Sequence, residues 1–208
     1  MNLKKIFVIG LFFILTGYGS SSVQASEPDT LAKPTRDSLH SGRLIGVLSA
    51  QGALYFGSLA GLYFAWYQDY PQTTFHFYND AGEWMGMDKI GHVTTSYYIS
   101  MIGYSSYRWC GLSNQKATLY GGLLSMAYLL NIEILDGFSS QWGFSMGDFT
   151  ANTAGCLLFM GQQLGWKEQR FAMKYSFHST EYAQYRPDLL GDNLIQNMVK
   201  DYNGHTYW

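Results

Sequence analysis

Between Leu44 and Gln68 the chain carries no formal charge, and from Cys110 to Trp166 it carries only Lys116, Glu133, Asp136 and Asp148. Stretches this long without charge fold either into a packed apolar core or against a lipid phase. The 25 residues of the first are enough to cross a bilayer as a helix. Charged residues make up 13% of the 208-residue chain, about half the usual share. Aromatic residues reach 17%. This composition fits a membrane or envelope setting, with a membrane lipid or another envelope component as the expected partner. A formal net charge of −2 leaves no basic face for nucleic acid, which is not expected as a partner.

The start of the chain reads as an export signal over residues 1–25. Lys4 and Lys5 precede the short apolar run Ile6 to Thr16, and Val23-Gln24-Ala25 fits a small-residue cleavage site. No cysteine stands near that point for lipid attachment. Residues 26–40, with two prolines and mixed charge, read as a flexible leader. Residues 41–208 are then one domain, the natural expectation at this length. Cys110 and Cys156 have no metal-type spacing, and Cys156 lies in an apolar helical run, where a buried free thiol is expected.

Apolar spacing and end signals predict helices over 44–67, 88–108, 114–136 and 146–165. Ser113 can cap the third, and Gly137 supplies a left-handed stop for it. Ser145 and Asp148 have capping-box spacing ahead of the fourth. Gly57 and Gly61 in the first are spaced for close helix contact. Residues 69–86 read as a loop, and 166–208 as a polar, water-facing tail with a helix near 187–200. The expected fold is all-α, a membrane-associated bundle of about four apolar helices with a polar C-terminal tail.

Three patches concentrate the polar chemistry. Asp88, Lys89 and His92 open the second helix, with Asp88 and His92 four apart on one face. Glu133 and Asp136 close the third, three apart on one face. Asp148 and Asn152 open the fourth. Several of these residues have a purely structural explanation. Asp88 can cap its helix and Asp148 can complete a capping box. His92 can be a satisfied core histidine, and Lys89 a solvated or snorkelling charge. Glu133 and Asp136 resist such an account. They sit in a last helical turn, where the dipole disfavours negative charge, and Glu133 follows the core-like "MAYLLNI". A charge there needs Lys89 or His92 beside it, a proton, or a metal.

These motifs carry a resemblance. "EWMGMDKIGHVTTSYY", "NIEILDGFSSQWGFSMGDFTANTAG" and the closing "KDYNGHTYW" resemble the YfiM-like family of predicted periplasmic lipoproteins, a domain of unknown function, over residues 75–208. The order DK-x-x-H, then Glu, then D-x-x-x-N-x-x-G is also similar to the VanZ-like membrane proteins of the envelope. That similarity singles out Asp88, Lys89, His92, Glu133, Asp148, Asn152 and Gly155. Together these resemblances imply an exported, periplasm-facing envelope protein.

Two functional readings stand. In the first, the polar cluster is structural or binds a ligand, with Asp88, Lys89, Asp136 and Asn152 as binding residues. In the second, the chain is a membrane-interface hydrolase or transferase acting on a lipid or lipid-linked envelope substrate. His92 is then a general base or metal ligand, and Glu133 and Asp148 are acid–base groups or ligands. A divalent metal is compatible with these donors, and the sequence names no cofactor. There is no GxSxG elbow, HExxH pair or phosphate-binding glycine loop.

Overall fold

A computed structural model describes residues 38–65 and 67–208. The expected signal peptide, and all but the last three residues of the expected leader, lie outside the described residues. Four long helices form: α1 (Ser41–Ala65), α2 (Met87–Trp109), α3 (Asn114–Gly137) and α4 (Met146–Gly165). Each boundary falls within one turn of its expected place. Ser113 and Ser145 cap α3 and α4 as their positions suggest, accepting from the backbone N–H of Lys116 and Asp148.

The core is built on three of the four. α2 packs against both α3 and α4, which also pack against each other. Small residues let the backbones meet. A Cβ at Gly121 would lie 2.6 Å from the Ser100 carbonyl oxygen, and one at Gly155 would lie 2.1 Å from that of Val93. Ser96 Oγ donates to the Asn152 carbonyl at 2.6 Å, and Ser125 Oγ donates to the Ser96 carbonyl at 3.0 Å, tying α4 and α3 to the middle of α2. Tyr97 and Phe159 fill the remaining space, each 1% exposed.

The fourth helix, α1, lies on the flank. Tyr107 donates to Gln51 at 2.8 Å, Tyr128 to Ser58 at 3.0 Å and Tyr55 to the Ala127 carbonyl at 3.2 Å. Most of its apolar side chains stay uncovered, Phe56 being 71% exposed. Close packing through the GxxxG pair is not made at Gly57, where an added Cβ meets nothing within 4 Å.

Short strands strap the end of the bundle that carries the helix-terminal acids. β1 (Phe77–Tyr78) pairs in parallel with β2 (Phe144–Ser145), Phe77 opposite Phe144. An isolated bridge joins Gln72 to Ser139. Gly137 does not take the left-handed stop expected of it; among the described residues the positive-φ glycines are Gly86, Gly111 and Gly191. Its need is steric, because a Cβ there would sit 2.3 Å from the Phe75 ring.

The tail also departs from expectation. The single helix expected near 187–200 is broken at Gly191 (φ +100) into α6 (Pro187–Leu190) and α7 (Leu194–Lys200), after a short α5 (Tyr182–Tyr185). β3 (Tyr175–Phe177) pairs antiparallel with β4 (His205–Tyr207). The tail is not simply water-facing. Asp201 is fully buried, Tyr98 of α2 donates to the Met173 carbonyl at 2.7 Å, and Tyr202 reaches Asp88. Cys110 and Cys156 are both free and buried.

Candidate functional site

The first turns of α2 and α4 and the last turns of α3 meet at one end of the core. That junction brings Asp88, Lys89, His92, Glu133, Asp148 and Asn152 into one cluster, as their helical spacing predicts. Asp88 and Asp148 lie in first turns, where the helix dipole favours a carboxylate. Glu133 and Asp136 lie where it does not, and each has its own compensation.

Lys89 is the hub. Its ammonium lies 2.6 Å from Asp80, 2.6 Å from Asp148 and 3.0 Å from Asp88. It is not the solvated charge that sequence alone allows. Burial works against its charge, but the hydrogen bonds to Asp148, Asp80 and Asp88 outweigh it and hold the ammonium protonated. Asp80 is likewise opposed by burial, yet Lys89 and Ser145 hold it below the usual carboxylate range. Asp148 is pushed up to about 6, chiefly by burial, against the pull of His92 and Lys89. Asp88 does not cap α2; Gly86 stands at the cap with no side-chain bond. The Asp88 carboxylate instead accepts from Lys89 and, at 2.9 Å, from Tyr202.

His92 forms the second layer. Nδ1 lies 3.1 Å from Asn152 Oδ1, and Asn152 Nδ2 donates to Glu133 at 3.4 Å. This chain assigns the Nδ1 proton to Asn152 and leaves Nε2 aimed at the acids, 3.5 Å from Asp148 and 3.8 Å from Asp88. Glu133 is 2% exposed and lies 3.9 Å from His92 Nδ1. It also accepts from the Ser145 backbone N–H, the donor that a capping box would give to Asp148. Burial, with Asp148 and Asp136 adding to it, pushes Glu133 up to about 8. The cost of placing it in the core is therefore met by a proton, with a hydrogen-bonded amide beside it. Asp136 is held separately by Tyr67, which donates at 2.6 Å; burial still pushes it up to about 6.

The cluster is graded in exposure. The side chains of Glu133 and Asp148 are 2% and 9% exposed, whereas Lys89, Asp88 and His92 keep 20%, 23% and 25%. Among the described residues Asp80, Asp88, Asp136 and Asp148 outnumber Lys89 and His92 even with Glu133 protonated, so negative groups are in excess. Asp148 Oδ1 is buried and takes the Lys89 ammonium, at 2.6 Å, as its close partner. Asp88, His92 and Asp148 present ligand atoms within 4.8 Å of one another, a donor set suited to a divalent ion. Because the Lys89 ammonium already lies 2.6 Å from Asp148, such an ion and this ion pair are alternatives at one place.

Three participants escape sequence reasoning. Asp80 sits in a stretch that reads as a turn, Tyr67 is the last residue but one of the uncharged run, and Tyr202 belongs to the tail. Only Tyr202 had a signal, its place in "KDYNGHTYW".

No curated protein and no solved structure matches the chain. A family model does. It begins at residue 76, one residue from the expected start, and ends at 160, short of the closing tail motif. The matched segment holds every charged member of the cluster, with Tyr67 and Tyr202 outside it. Residues 76–160 match the family described as Predicted periplasmic lipoprotein (DUF2279), and the chain is accordingly an exported, envelope-associated protein that faces the periplasm.

Proposed function

We propose that the chain is a membrane-associated envelope protein whose charged cluster binds a ligand at its open side, beyond fixing the helices. The graded exposure of the cluster carries this reading. A network that only locks helix register is served by complete burial and mutual satisfaction. Here the Lys89–Asp88–His92 edge stays open to approach while Glu133 is sealed beneath it. The excess of carboxylates favours a ligand with a positive or hydrogen-bond-donating group. Membrane association rests on α1, since Ser41–Phe64 is long and apolar enough to cross a bilayer and stays almost wholly uncovered. α3 passes the same test of length and composition, but it packs against α2 and α4 and belongs to the core.

Asp88→Asn tests the binding reading. It keeps shape and the Tyr202 contact but removes a charge at the open edge. The expected result is a variant that folds and accumulates normally yet fails to restore the envelope lipid profile of a deletion strain. Restoration of that profile at normal abundance rejects the ligand-binding role.

A second reading, a hydrolase or transferase acting on a lipid or lipid-linked substrate, is favoured by one contact. His92 Nε2 lies between Asp88 and Asp148, where it can exchange a proton with a reacting group entering the open side. Turnover that survives His92→Gln excludes that role for His92.

A further inference from the structure

A groove of 1290 Å³ runs along the outer face of α2, larger than the roughly 300–1,000 Å³ of ordinary small-molecule pockets. It begins at Gly91, one residue from His92, and ends at Trp109. At 1.5 Å per helical residue that is a length of about 27 Å. Tyr207 of the tail stands at the cluster end, with its hydroxyl 3.3 Å from where a Gly91 Cβ would lie. At the other end the groove is lined by Val47 of α1. It thus joins the charged cluster to the helix whose apolar face is uncovered.

In sequence this face of α2 looks polar, with Thr94, Ser105 and Ser106 along it. Their hydroxyls are already engaged. Each donates at 2.8 Å to the carbonyl four residues earlier, on Ile90, Met101 and Ile102. Tyr98 donates to Met173. With these four donors occupied, and Thr95 and Ser176 as further hydroxyls on the wall, Met101, Ile102 and Trp109 from α2 and Leu194 and Met198 from the tail set the character of the surface. A sugar or peptide laid there would lose more hydrogen bonds to water than the Thr95 and Ser176 hydroxyls could replace. An alkyl chain would lose none.

We propose that this groove holds one acyl chain of an amphiphile, its polar end at Gly91 and Tyr207 beside the Asp88–His92 edge and its methyl end toward α1. The carboxylate excess at the polar end selects an amine-bearing headgroup over a purely anionic one. The position of the headgroup rests on the binding reading above; the position of the chain does not.

The test uses the full chain in vesicles of phosphatidylethanolamine and phosphatidylglycerol, each lipid supplied in turn with a photoreactive diazirine on its acyl chain. Labelled peptides are then mapped. Labelling is expected at Met101, Ile102 and Met198 as well as on α1, several-fold stronger from the ethanolamine lipid. Ile102→Trp fills the groove from a position 37% exposed, so the core is left intact. It should lower groove labelling at least fivefold and leave α1 labelling unchanged, whereas Ile102→Leu should label as wild type. Labelling confined to α1, or groove labelling indifferent to Ile102→Trp, overturns the acyl site. So do cross-links from the groove to a second copy or to residues 1–37 in place of lipid. Groove labelling that Ile102→Trp abolishes, but that shows no headgroup preference in wild type or Asp88→Asn, keeps the chain site and rejects the cluster as its headgroup site.

Discussion

Glu133 shows how one side chain can be costly and still have a place. It sits in a last helical turn, sealed from water, with Asp148 and Asp136 nearby, and burial pushes its carboxyl up to about 8 from an unfolded value of 4.5. For an acid whose folded value is raised, the folded state binds the proton more tightly than the unfolded state. Stability from this group is complete below about 4.5 and is lost as pH rises through about 8. Glu133→Gln is a fixed copy of the protonated form. Urea denaturation of wild type should therefore show a loss on the order of 3 kcal/mol between pH 5 and pH 9 that the variant lacks. Asp136 and Asp148 titrate in both proteins, so only the difference between the two curves belongs to Glu133. Equal pH dependence would mean that Glu133 is ionised and paired. Much of this was legible in the residues: an acid after "MAYLLNI" demanded a partner or a proton. Which partner was not legible. Asn152 and the Ser145 backbone flank Glu133, while Lys89 faces Asp80, and no spacing rule links residue 80 to residue 89 across a loop.

At the scale of elements, helix bounds were readable because capping residues and apolar runs are local. What the termini do in three dimensions was not. Gly137 reads as a left-handed stop but is required by the Phe75 ring, a contact from a loop more than fifty residues earlier in the chain. The tail reads as solvated because it is charged, yet Tyr202 and Asp201 turn inward and its strands pair over α2. The crossing of α2 and α4 is fixed by Gly155 against the Val93 carbonyl, one turn beyond Asn152. Gly155→Ala should push these helices apart and cost about 1–3 kcal/mol by overpacking, or more if the backbone cannot yield. It should also loosen the Ser96–Asn152 bond and with it the His92–Asn152–Glu133 chain. Thermal denaturation measures the first effect, and chemical-shift changes at His92 the second. An unchanged melting temperature would show that the two backbones are not held this closely.

The whole molecule sets a polar end, open along one edge, and a bare apolar flank on one small core. Three helices bury the acids, the tail covers part of their open side, and α1 is attached by a few tyrosine hydrogen bonds and by Leu44 and Val47 packed on the Tyr107–Cys110 cluster, with most of its apolar side chains uncovered. Exposing Phe56 at 71%, Ile45 at 65% and Phe64 at 60% on one helix whose single charge is Arg43 in its first turn is unfavourable in water, at roughly 1.5–3 kcal/mol for each large apolar side chain left uncovered. An apolar patch of this kind marks an interaction surface, and for an exported envelope protein the bilayer is the surface at hand. The double variant Phe56→Asp/Phe64→Asp places two charges on that flank without touching the α2–α3–α4 core. Wild type should remain in the membrane pellet after alkaline carbonate extraction. The variant should pass largely to the soluble fraction, with its helical circular dichroism signal unchanged. Wild-type protein recovered wholly in the soluble periplasm without detergent would rule out the membrane association, and with it the direction assigned to the groove, because an acyl chain needs a bilayer at the α1 end from which to enter.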